Sequence, residues 1–97
     1  MGPPTDHKQQ AIDRLRVLRA SVEAQSAHVD VRELMELIGH LERAVQTFHM
    51  EAIRFRMYTM GRRLTRTPEL PAEIGARFEQ VRESLEAAGF HTRSVSS

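Results

Sequence analysis

Apolar residues recur along the first part of this chain at alternating steps of four and three, the spacing that gathers side chains on one face of an α-helix. The first stripe is Ala11, Leu15, Leu18 and Val22, with Ile12 beside it. Ahead of it, Asp6 and Gln9 have the spacing of a capping box, in which each side chain satisfies a backbone donor that the first turn leaves unpaired. A helix is predicted over about residues 6–26, fraying around Gln25 to His28.

The next start signal is the run Val29-Asp30-Val31-Arg32-Glu33-Leu34. Asp30 reads as the cap, Glu33 as the residue reaching back to it, and Val29 as a hydrophobic staple onto Leu34. No proline follows until Pro68, so the pattern predicts one long helix over about 30–66, on the order of 36 residues and roughly 54 Å. Gly39 and Gly61 are the two positions at which it would bend or break. Thr67-Pro68-Glu69-Leu70-Pro71 then forces a turn, because each proline removes a donor and disfavours helix in the residue before it.

A third helix is predicted over about 71–88, with Ile74, Phe78, Val81 and Leu85 on its apolar face. Gly89 supplies the left-handed residue that ends helices, and Phe90 folds back on Leu85. The expected organisation is a flexible N-terminus (1–5), one helical domain (6–89) and a disordered tail (90–97).

The long segment carries two stripes. Leu34, Ile38, Leu41, Val45, Phe48, Ala52 and Phe55 keep a seven-residue repeat on one face, after which that face turns polar at Thr59, Arg62 and Arg66. Met50, Ile53, Met57, Met60 and Leu64 form the second stripe, rotated by roughly 120° at about 100° per residue. Helix one is expected along the first half of the long helix and helix three along the second, leaving one apolar face uncovered where the stripes overlap. Burying each such side chain is worth about 1.5–3 kcal/mol, which favours pairing with a second chain. The fold class read from the pattern is therefore all-α: three amphipathic helices forming a bundle as an antiparallel homodimer. Phe48, Met50, Ile53, Phe55, Met57, Met60 and Leu64 are the candidate self-association or partner-binding residues. A monomeric three-helix bundle with the long helix broken at Gly61 is the alternative.

Composition supports a folded chain with a thin core: 97 residues, 40% hydrophobic, 28% charged, four Phe, one Tyr and no Trp. The absence of cysteine excludes disulfides, thiolate metal sites and a cysteine nucleophile. No apolar run approaches the roughly 18 residues of a membrane span and no signal region is visible, so a cytoplasmic protein without membrane contact is expected.

The net charge is only +1, yet between Glu51 and Glu69 there is no acidic residue and there are five arginines, Arg54, Arg56, Arg62, Arg63 and Arg66. With Phe55 and Tyr58 interleaved, this stretch has the composition of a nucleic-acid contact surface. The preferred reading is that Glu69, Glu73, Glu79, Glu83 and Glu86 of the third helix run beside it and balance the charge.

Glu33, Glu36 and His40 share a helical face and are the candidate metal ligands. They offer at most three weak donors, and no histidine has Glu three residues before it as a di-iron bundle would require. Neither a GxSxG elbow, a phosphate loop nor a GxGxxG turn is present, so no catalytic residues and no cofactor are assigned.

The function predicted is thus a non-enzymatic, self-associating helical module for protein–protein interaction, in an adaptor, scaffold or regulatory role. A small dimeric nucleic-acid-binding protein using the Arg54–Arg66 stretch comes second. A metal-binding bundle with sites at the subunit interface comes third.

Overall fold

The computed structural model describes residues 6–90 and is helical throughout, with four helices among the described residues: α1 (His7–Glu23), α2 (Arg32–Gln46), α3 (Met50–Thr65) and α4 (Ala72–Ala87). The expectations for 1–5 and for the tail from His91 onward lie outside the described residues. No helix is long and apolar enough to cross a membrane.

α1 starts where the capping signal placed it. The Gln9 N–H donates to Asp6 Oδ1 at 3.0 Å, while the Gln9 side chain turns forward to Asp13 instead of back to the cap. Ala11, Leu15, Leu18 and Val22 are fully buried, and the helix ends at Glu23, a little before the expected 26. At α2, Asp30 accepts from the Arg32 N–H at 3.2 Å and from its guanidinium, and Val29 packs against the core. Glu33 does not reach back as expected; it faces Arg63 of α3, 3.2 Å away.

The predicted central helix is two helices. The break falls neither at Gly39 nor at Gly61 but at Thr47-Phe48-His49, where Phe48 adopts a left-handed φ of 55°. The Thr47 and Phe48 N–H groups close the end of α2 on the carbonyls of Arg43 and Val45. His49 then caps α3, its Nδ1 accepting from the Ala52 N–H at 3.2 Å. With so short a connection α3 folds back along α2 as a helical hairpin, which the Arg63–Glu33 pair records by joining the end of one helix to the start of the other.

The break also explains the two stripes. Leu34, Ile38, Leu41 and Val45 of α2 and Ile53, Met57 and Met60 of α3 are all fully buried, while Ala52 and Phe55, the end of the first stripe, fall in α3 outside its fully buried face. A rotation of the apolar face that no straight helix could bury becomes ordinary once the chain reverses. Folding back brings both stripes to one core and offsets the cost of a non-glycine residue at positive φ, about 1–2 kcal/mol.

α4 spans Ala72–Ala87, close to expectation, with Ile74, Phe78, Val81 and Leu85 buried. Gly89 takes a φ of 99°, and the Phe90 N–H donates to the Leu85 carbonyl at 2.9 Å, closing the helix as the glycine signal predicted. Its main neighbour is α1, not the second half of a long helix. Arg14 of α1 donates to the Gln80 carbonyl (2.7 Å) and to the buried Ser84 hydroxyl (2.8 Å). α1 thus lies between α4 and α2, α2 between α1 and α3, and α3 meets α4 only sparsely. The bundle is open on that side and flattened, 44 × 36 × 22 Å.

Candidate functional site

The open side makes α3 the least covered helix. Its inward face is spent on the core through Ile53, Met57 and Met60, with Leu64 partly buried against them. Its outward face carries Phe55 and Tyr58, 58% and 52% exposed. At the start of the helix Phe48 and Met50 are also about half exposed, 49% and 46%. The seven candidate association residues are therefore divided: Ile53, Met57, Met60 and Leu64 serve the chain's own core, while Phe48, Met50 and Phe55 stand outside it.

Tyr58 belongs with the exposed group, although the apolar pattern did not select it. The signal was its position three residues after Phe55, on the same side of the helix. Glu51 and Arg62 complete this side; at about 100° per residue, the four side chains fall within about 60° of one another. The Arg62 guanidinium lies over the Tyr58 ring, 5.7 Å from its centroid, and Arg56 over Phe55 at 5.2 Å, so the aromatics are held in place by local cation–π contacts.

Between α3 and α4 runs a groove of about 820 Å³, walled by Met57, Tyr58, Gly61, Leu64, Gly75 and Phe78, with Arg62, Glu79 and Arg82 at its rim. A Cβ at Gly61 would meet the Phe78 ring at 3.5 Å, an ordinary contact, and one at Gly75 would meet open space. Arg82 lies over the Phe78 ring at 5.3 Å and pairs with Glu79 at 3.2 Å. The wall is apolar and the rim charged, the make-up of a contact surface.

The arginine run is not balanced by the last helix as preferred above. The α4 carboxylates of Glu73 and Glu79 are engaged by Arg77 and Arg82 of their own helix, and Glu83 lies 3.9 Å from Arg14 of α1. Arg63 turns to Glu33 of α2, and Arg54 is also engaged. Among the described residues, Arg56, Arg62 and Arg66 have no carboxylate within ion-pair distance.

The metal candidates are not gathered. Glu33 is paired with Arg63, and among the described residues no three His, Asp or Glu side chains converge as an ion requires, Glu36 and His40 included. Ionisation is displaced at two ion pairs remote from the groove. The Arg32 guanidinium, aided by its backbone N–H, holds Asp30 down at about 2, and Asp30 in turn raises Arg32. Arg19 is raised by its hydrogen bonds to Glu42.

Compared with known proteins, the chain matches no family model, no curated protein and no solved structure.

Proposed function

We propose that this chain is a non-enzymatic helical module that self-associates through the outward side of α3 as an antiparallel homodimer, and that its assembled form docks another protein in an adaptor, scaffold or regulatory role. The observation that carries this reading is the pair Phe55 and Tyr58, both more than half exposed on one side of a helix whose other side is already committed to the core. Phe48 and Met50 add further half-exposed apolar surface at the start of α3. Aromatic rings are the residues most enriched at interface centres, and removing one from water contributes about 1.5–3 kcal/mol. A cytoplasmic setting belongs to the same proposal, with which a chain without cysteine is compatible.

The test is the mass of the protein in solution. Light scattering across the micromolar range is expected to give twice the 11.1 kDa of one chain, with dissociation on dilution. A stable monomer at the highest concentration would remove the proposal. Phe55→Ser with Tyr58→Ser should shift the equilibrium to monomer without loss of helix content, because neither ring is part of the core.

A nucleic-acid reading gains from the three arginines left without carboxylate partners. Filter binding to duplex and single-stranded DNA at low and high salt separates it from the first: a phosphate-binding surface must weaken steeply as salt rises. Retention at neither salt concentration removes it.

A further inference from the structure

The outward side of α3 is spaced symmetrically but charged oppositely at its two ends: an acid, an aromatic, an aromatic and a base, at Glu51, Phe55, Tyr58 and Arg62. The two inner residues are three apart and the outer two lie symmetrically beyond them. Resting on the self-association reading, the geometry points to a specific pairing in which α3 of one chain lies antiparallel on α3 of a second copy. Glu51 then stands opposite Arg62 of the second copy, and Phe55 opposite its Tyr58, about a two-fold axis passing between positions 56 and 57.

The charges select this arrangement. Glu51 and Arg62 are 11 positions apart, about 16 Å along a helix at its usual rise, so they cannot pair within one chain. Neither has an oppositely charged partner within its own chain among the described residues. A parallel pairing in register would set Glu51 against Glu51 and Arg62 against Arg62, which like-charge repulsion opposes. The antiparallel register makes two opposite-charge contacts and keeps the two Arg62 side chains about 16 Å apart along the axis, beyond the screening length at physiological salt.

The centre of the register is apolar. Phe55 and Tyr58 meet across the axis twice, giving the isologous contact in which each residue's partner is repeated by symmetry. Tyr58 and Arg62 also line the groove between α3 and α4, so a second helix laid on this stripe would stand beside the groove's mouth.

Charge reversal tests the register. Glu51→Arg alone and Arg62→Glu alone should each weaken self-association at least about tenfold, as each places like charges together at both ends of the contact. Mixing the two variants should restore a dimer of one chain of each kind, since both end contacts are then between opposite charges. Circular dichroism establishes that each variant is folded; if a reversed chain is not, Glu51→Gln and Arg62→Gln remove the attraction without repulsion and should weaken the dimer to a smaller extent. A wild-type dimer whose affinity none of these changes, or a mixture that stays monomeric, overturns the register and leaves self-association standing. A monomeric wild-type chain overturns both.

Discussion

The ring of Phe48 stands edge-on to that of Phe90, with centroids 4.5 Å apart and planes at 83°. This contact joins the reversal between α2 and α3 to the residue that closes α4, and Lys8 of α1 lies over the Phe48 ring at 5.3 Å. Three separate pieces of chain meet at a residue that carries a left-handed backbone, φ 55°. The half-exposed ring therefore has a structural role on one side and a free edge on the other.

That backbone sets the sign of a comparison between small residues at position 48. Phe48→Ala should destabilise the fold by about 1–2 kcal/mol through loss of the ring contact and its burial. Phe48→Gly should retain about 1 kcal/mol more than the alanine variant, because glycine adopts positive φ without the clash of a Cβ. A continuous helix through residue 48 gives the opposite order, since alanine outranks glycine in a helix interior. Urea midpoints of the two variants decide between them.

Arg19 of α1 and Glu42 of α2 are joined by a two-pronged pair, Nε to Oε2 at 3.3 Å and Nη2 to Oε1, with side chains only 36% and 21% exposed. Partial burial reduces screening, so the coupling between Arg19→Met and Glu42→Gln in a double-mutant cycle should be about 1 kcal/mol. Coupling indistinguishable from zero would assign the pair no part in holding α1 to α2.

Asp30 is held near 2 rather than its ordinary 3.8 by Arg32. A carboxyl depressed on folding contributes stability that is present above the unfolded value and is lost as pH falls from about 4 through about 2. NMR titration of the Asp30 carboxyl should show a midpoint well below 3.8 that rises in Arg32→Ala and with added salt. A midpoint at the ordinary value in the native protein would contradict the pairing.

Two glycines should respond in opposite directions. Gly61 sits inside α3, and a Cβ there would lie 3.5 Å from the Phe78 ring, an ordinary contact. Gly61→Ala is expected to raise stability by about 0.5–1 kcal/mol through reduced freedom of the unfolded chain. Gly89→Ala, at φ 99°, should lower it by about 1 kcal/mol. Thermal midpoints that move the same way for both would disagree with the backbone described.

The helix ends were legible where a residue type has one dominant local use. Asp6 before a periodic run and Gly89 after one placed the start of α1 and the end of α4, because capping is settled by hydrogen bonds within a few residues. The reversal at Thr47-Phe48-His49 carries no glycine or proline, and histidine is not among the preferred caps, so Gly39 and Gly61 are the more conspicuous breakers in the sequence. The rotation of the apolar face between residues 48 and 57 was the visible trace of the break. Read as a hand-over along one cylinder it called for three helices; a change of phase is equally the mark of two helices meeting at an angle. The candidate surface suffered accordingly. Met57 and Met60 were grouped with Phe48 and Phe55 by proximity in sequence, whereas the reversal sends the methionines inward and leaves Phe55 and Tyr58 outside.

Taken alone, the order of residues determined that the chain is helical, which side chains of α1, α2 and α4 are apolar-facing, and where α1 starts and α4 stops, since periodicity and capping act over one or two turns. Tertiary packing decided that the middle segment folds back, that α4 rests on α1, and that among the described residues Arg56, Arg62 and Arg66 have no carboxylate within ion-pair distance. Those outcomes depend on burying two stripes in one core against the local cost of turning at Phe48, a balance that no short window of sequence contains.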